Sequence, residues 1–225
     1  MKPKTFMLMA AAALLAAACG EKDQPSFSSF DLTIATHDGA KVEWADGALW
    51  WESNRDAVLI NGVTHTVVGS GTSWHTEGTA VSADDGRFYV AYPAGTYNSA
   101  SHTASWDGTS VPLACKGQTN KLTLYPCCAV VRSSSYTTLD LYTAGGDSGC
   151  ESGMVVGSGT IDISTATLSG SDEITTIEAM TAGDGYNYFV VSMVGSSVSA
   201  VLDFDWGSAT TNLVTLQNGY LYTID

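Results

Sequence analysis

The chain has 225 residues, 44% of them hydrophobic, with six tryptophans and ten tyrosines, enough to furnish two small cores. Its 23 acidic residues outnumber 9 basic ones for a formal charge of −14, and no cluster of Lys and Arg is present to meet phosphates. That balance speaks against nucleic acid as a partner and against electrostatic binding to an anionic membrane, and it says nothing of fold.

In chain order, Lys2 and Lys4 precede an uncharged run from Thr5 to Ala18, too short and alanine-rich to span a bilayer comfortably, which reads as a secretory signal. It ends in LLAAACG, where small residues up to Ala18 suit a signal peptidase and Cys19 supplies a thiol for a diacylglycerol. Residues 1–18 are therefore assigned as a lipoprotein signal peptide and Cys19 as the lipidation site. One departure is that Leu15 stands four places before the cysteine, where three is usual. The plain alternative is an ordinary secretory signal with a chance cysteine. The stretch that follows, EKDQPSFSS, is charged and then Pro/Ser-rich, so residues 19–28 read as a tether.

Beyond residue 28 no run of a dozen residues has helical apolar spacing, whereas short alternating runs recur throughout, so the chain reads as all-β. AVLINGVTHTVV (57–68) is rich in β-branched residues around the turn pair Asn61-Gly62. VSADDGRFYVAYP (81–93) carries Asp85-Gly86, a favoured hairpin turn, then Phe88, Val90 and Tyr92 alternating with Tyr89 and Ala91. VPLAC, KLTLYPCCAVVRSS, YTTLDLYTA, MVVGSGTIDIS, ITTIEAMT, YNYFVVSMVG, SVSAVLDFDW and LVTLQNGYLYTID follow at spacings close to those of sandwiches. A break near KGQTN (116–120) divides the strands into two tandem small β-sandwich domains, 29–118 and 119–225, with Greek-key, transthyretin-like or Ig-like connections expected.

Catalytic chemistry finds little to work with. GGDSGC (145–150) looks like the presentation of a serine nucleophile, but Ser148 needs a histidine to take its proton. His37 lies too close behind Cys19 for the strands of a chymotrypsin-type barrel to precede it, and His65, His75 and His102 sit in alternating or polar runs. Ser148 reads as a turn residue. Asp203 and Asp205 in LDFDW share one strand face as a possible carboxylate pair, and Asp84 and Asp85 lack the spacing of a calcium loop. No enzyme activity and no cofactor is expected.

Of five cysteines, Cys115, Cys127, Cys128 and Cys150 remain after Cys19. In an oxidising compartment they could form two disulfides in any of three connectivities, or stay as buried thiols acting as small hydrophobes. No C-x-x-C pair and no suitably spaced histidine supports a metal site. Six tryptophans offer flat faces for sugar rings, and adjacent Trp50 and Trp51 are the most suggestive, since one of two strand neighbours turns outward. Core packing is the ordinary use of such residues.

The order of several of these runs resembles a family. WWESNRDAVLINGV followed by GRFYVAYPAG resembles the N-terminal half of the fimbrillin-like lipoproteins of Bacteroidales. KLTLYPCCAVVRSSS, YTTLDLYTAGG and VVGSGTIDIS are similar to the opening of that family's C-terminal half, and YNYFVVSMV and NGYLYTID to its closing strands. The resemblance implies a two-domain, lipid-anchored β-sandwich protein of the outer membrane and cell surface, non-enzymatic and concerned with fimbriae and adhesion. Its partners would be other fimbrial subunits and the membrane through the lipid, with host or dietary glycans or proteins as further ligands. In polymerising members a cleaved N-terminal strand is replaced by another subunit's strand, a form of β-augmentation. Here the first arginine after Cys19 is Arg55, outside any N-terminal strand, and no spare strand follows the last core-like run. An accessory, tip or anchor role therefore suits the sequence better than a stalk subunit. The rival reading is a glycan-binding surface lipoprotein.

Overall fold

The computed structural model describes residues 24–34, 54–70, 73–108, 110–142, 156–170, 176–181, 185–194 and 197–224. These residues form strands, turns and bends and no helix, so the architecture is all-β. The first strands are β1 (Ser26–Phe27), β2 (Asp31–Ile34), β3 (Ala57–Ile60), β4 (Val63–Ser70), β5 (Ser73–Glu77), β6 (Val81–Ser82) and β7 (Phe88–Tyr92). They continue with β8 (Tyr97–Asn98), β9 (Thr103–Trp106), β10 (Leu113–Gly117), β11 (Lys121–Pro126), β12 (Ala129–Ser133), β13 (Thr138–Tyr142), β14 (Gly159–Asp162) and β15 (Thr167–Ser169). The last are β16 (Ile177–Glu178), β17 (Met180–Thr181), β18 (Asn187–Val191), β19 (Ser197–Phe204), β20 (Ala209–Thr210), β21 (Val214–Gln217) and β22 (Leu221–Thr223).

Local chemistry explains the first hairpin. Asn61 and Gly62 adopt φ of 45° and 85°, the left-handed pair that a tight two-residue turn demands and that Asn-Gly accepts at least cost. The Asn61 side chain then ties the turn to its surroundings. Its Nδ2 donates to the carbonyls of Ser82 (3.0 Å) and Arg87 (3.2 Å), and its Oδ1 accepts from the Tyr89 amide (2.7 Å). Asp85 (φ 48°) and Gly86 (φ 73°) make the second such turn, closed by paired backbone bonds between Asp84 and Arg87.

In the first half a barrel closes in the order β10-β11-β2-β5-β4-β3-β7 and back to β10, with β2 and β11 parallel. Closure leaves none of these strands as an open edge. Phe30, Leu32, Val58, Ile60, Phe88, Val90, Leu113, Leu122 and Leu124 fill it. On β3, β7 and β10 the outward residues Leu59, Tyr89, Ala91 and Ala114 are buried too, because a second sheet, β15-β14-β9-β8, covers them. Along β7, Phe88, Val90 and Tyr92 point into the barrel while Tyr89 and Ala91 pack outward with Trp106, Ile161 and Leu168. That double cover is why all five residues of FYVAY are buried.

The second half is a sandwich. One sheet, β17-β18-β12-β22, faces another built from β16-β13-β19-β20 with β21 alongside β19. Val131, Leu139, Leu141, Phe189, Leu202, Phe204 and Leu216 form the core between them. The central strand β12 has two dry faces. Ala129 and Val131 enter the sandwich core, while Val130, with its neighbours Cys128, Tyr188 and Leu221, completes the barrel-side core.

Two of the expected boundaries move. A division at 118/119 would cut the β10–β11 hairpin, because β11 is a barrel strand paired to β10 and β2. The halves also share a sheet, since β14 pairs with β9, strand 159–162 against 103–106. The tether expected over 19–28 ends earlier: Ser26 and Phe27 pair with β6, and the Phe27 ring lies 5.9 Å from Phe30 and 5.5 Å from Phe88. The signal peptide and Cys19 lie outside the described residues.

Candidate functional site

The residues singled out for catalysis are drawn into structural tasks. Asp203 and Asp205 are not a pair: β19 ends at Phe204 and Asp205 turns away at φ 46°. Its Oδ1 accepts from the amides of Thr137 (2.9 Å) and Thr138 (2.8 Å) and from both hydroxyls (3.2 Å each), which holds its carboxyl below the usual range. Asp203 instead stands opposite Asp140 on β13. Asp84 and Asp85 form the hairpin turn, and among the described residues no three His, Cys, Asp or Glu side chains gather where they could hold a metal ion. His65 is fully buried against Thr76 (Nδ1 to Oγ1, 3.2 Å), and desolvation lowers its pKa, opposed by a backbone hydrogen bond with Thr79. His75 lies 3.7 Å from Glu77. His102 stacks on Tyr89 at 3.7 Å with an interplanar angle of 1° and shares a 2.9 Å hydrogen bond with the Tyr97 hydroxyl. Burial, with the charge of Asp84, raises Tyr97 to about 12. His37 and Ser148 lie outside the described residues.

Cys115, Cys127 and Cys128 are free thiols, all buried. Cys128 lies with the barrel-side core and Cys127 with the core under the covering sheet, at the bend between β11 and β12. Burial raises all three, Cys115 to about 12, because a thiolate has no water there. Cys150 lies outside the described residues.

Trp50 and Trp51 also lie outside them. Of the tryptophans described, Trp106 is buried and donates its indole N–H to the Ser110 carbonyl (2.8 Å). Trp206 is 77% exposed at the β19–β20 turn, at φ 61° between Asp205 and Gly207 (φ 91°). A bulky residue held in that conformation at a turn is uncommon. It is the outward-facing tryptophan that the sequence could place only in the 50–51 pair.

A cleft of about 620 Å³ lies where the barrel, the covering sheet and the sandwich meet. Its size lies within the roughly 300–1,000 Å³ of small-molecule sites, and such junctions are where they form. The barrel wall comes from β10 and β11, where Tyr125 stands opposite Ala114 with Lys116 diagonal to it on the same outer face. The hairpin wall is the β14–β15 turn. There Asp162 Oδ1 accepts from the amides of Ser164 (2.8 Å) and Thr165 (3.2 Å), and the hydroxyls of Thr165 and Thr167 bond at 2.8 Å. Such an Asp-capped turn is locally fixed. The sandwich wall is the turn Gln217 to Tyr220, closed by the Tyr220 amide on the Gln217 carbonyl (3.3 Å) and tied to the approach to β12 by Gly219 N–H on Cys128 O (2.8 Å). Polar amides, hydroxyls and two tyrosine rings thus surround the space, and Lys116 is the charged side chain among the described residues lining it. Sequence reading missed this site because its parts come from one pair of barrel strands and two turns far from it in the chain. Tyr125 in LYPCC and Tyr220 in NGYLY read there only as strand residues.

No protein-family model matches the chain, and no curated protein sequence matches it. Among solved structures it is similar to a protein of Bacteroides uniformis ATCC 8492 described as a "putative cell adhesion protein", with a TM-score of 0.50 and 12% sequence identity over 87% of this chain and 91% of that one. At that identity the likeness is one of fold.

Proposed function

We propose that this chain is a non-enzymatic, lipid-anchored surface protein that serves adhesion, as an accessory, tip or anchor-like component of a fimbria. The observation that carries the reading is the shared all-β fold, spanning nearly the whole of both chains, with a protein described in terms of cell adhesion. The functional side chains support it in detail. Among the described residues, His65 and His102 are engaged in packing and Asp205 in capping. The order of the strand runs, similar to the fimbrillin-like lipoproteins, supplies the fimbrial and outer-membrane part, and LLAAACG the lipid anchor at Cys19.

The test is the native envelope. Radiolabelled palmitate should enter the wild-type protein and not Cys19→Ser, and protease added to intact cells should degrade it. Unboiled against boiled gels then read assembly: a ladder that collapses on boiling marks a polymerising subunit, and a single band in both lanes marks a cap or anchor. Retention of the protein in the soluble periplasm would overturn the reading.

A further inference from the structure

The geometry points to the cleft between barrel and sandwich as a binding site for a short acidic oligosaccharide, with Tyr125 as stacking platform and Lys116 as the partner of the sugar carboxylate. This deepens the adhesion reading by naming a ligand class, and it rests on that reading for its biological use.

The first observation is the composition of the walls. Tyr125, on β11, is 38% exposed, with Trp206 one of the two aromatic residues among those described that are exposed. A phenol ring has a flat apolar face with a polar tip, which matches the apolar face of a pyranose and leaves the hydroxyls at its rim to be hydrogen-bonded. The opposing walls supply those partners: the amides of Gln217 and Asn218 and the hydroxyls of Thr165, Thr167 and Ser197. Amides and hydroxyls both donate and accept, as a polyol requires. An apolar ligand would leave these groups desolvated and unpaired, at a cost of a few kcal/mol.

The second observation is charge. The chain carries −14 overall, yet no carboxylate is among the described residues lining the cleft, and Lys116 is exposed at its wall. Asp162, the carboxylate behind the hairpin wall, is taken up by the Ser164 and Thr165 amides, and a ligand carboxylate accepting from Lys116 makes a charge-assisted bond. The acidic surface elsewhere repels such a ligand, so the cleft is the place where it can settle. The third observation is fixity. The hairpin wall is tied by Asp162 and the sandwich wall by Gly219, so the groups are positioned before binding and little ordering remains to be done.

Isothermal titration calorimetry of the whole secreted protein tests this, with digalacturonic acid and sialyllactose as acidic probes and lactose as the neutral one. Binding of an acidic probe and weaker binding of lactose are expected, the difference shrinking as salt rises. Tyr125→Ala should weaken the acidic probe on the order of tenfold. Lys116→Gln should cost on the order of tenfold or more for that probe and leave lactose unchanged. Both side chains are exposed, so unchanged melting temperatures separate lost contacts from lost folding. Failure of both acidic probes to bind overturns the proposal, as does a preference for lactose. Binding that survives Tyr125→Ala and disappears with Trp206→Ala overturns the location. None of these outcomes bears on lipidation or surface display, so the two readings fail separately.

Discussion

Asp140 and Asp203 face each other as direct cross-strand partners on β13 and β19, both more than nine-tenths buried, and the Oδ1 of each has no hydrogen-bond partner. The Tyr142 hydroxyl reaches Asp203 Oδ2 only at a long 3.4 Å. Like charges placed opposite one another destabilise a ladder. Asp203→Asn removes the repulsion and lets an amide donate to Asp140, so it should raise unfolding stability by about 1 kcal/mol in urea titrations. Asp140→Asn should do the same, and the double variant should gain less than the sum, as coupled neighbours do. Destabilisation by either single change would refute the repulsion account.

Acid should weaken the fold through His65. Its folded pKa lies below its unfolded value of about 6.5 because burial disfavours the imidazolium. The unfolded chain therefore binds the proton first. Stability is complete above about pH 6.5 and declines as pH falls below it, until the folded pKa is passed. His65→Phe, which keeps a ring against Phe30, should flatten urea midpoints between pH 7 and 5. An unchanged slope would place the acid sensitivity elsewhere.

Gly78 leaves His65 its room: a Cβ there would stand 2.7 Å from the ring, where the crowding atoms are themselves buried. Gly78→Ala should cost on the order of 1–3 kcal/mol, the usual range for overpacking, read as a lower melting temperature. Gly86→Ala has open space around it but a left-handed φ of 73°, so its loss would be one of backbone strain alone.

The three described thiols should resist alkylation in the native protein. Iodoacetamide at pH 8 should leave the peptides bearing Cys115, Cys127 and Cys128 unmodified, and should label them in guanidinium without reductant. Labelling that requires reductant would mean that they are oxidised in the native protein.

Barrel and sandwich should unfold together. Val130 serves the barrel-side core from a strand whose alternate residues fill the sandwich, so Val130→Ala should cost about 2 kcal/mol and shift hydrogen-exchange protection in β7 and β19 alike. Two separate transitions would show that the halves are independent after all.

What the sequence made legible is what neighbouring residues decide. The Asn61-Gly62 and Asp85-Gly86 turns carry their own backbone preferences, and the alternation in FYVAY showed its two faces. The partner of each face was not legible. β11 follows a Gly/Asn turn that looks like a domain border, yet it closes the barrel against β2, about ninety residues earlier. TIDIS reads as a strand of the second half, but Ile161 lands under the first. Pairing at such separations depends on the whole packed arrangement and leaves no mark within a window of ten residues. The cleft suffers most from this, being assembled from a strand pair and two turns that have no local reason to meet.

The parallel seat of β22 beside β12 has a consequence for how the molecule comes into being. Leu221 seals the barrel-side core from a strand made after nearly every other. A chain emerging N-terminus first, from a ribosome or through a narrow channel, therefore exposes Val130 and Tyr188 until residues 221–223 have followed. Contacts this distant in sequence form slowly. The barrel-side core is thus closed by one of the last strands to be made, and its full burial waits on the end of synthesis.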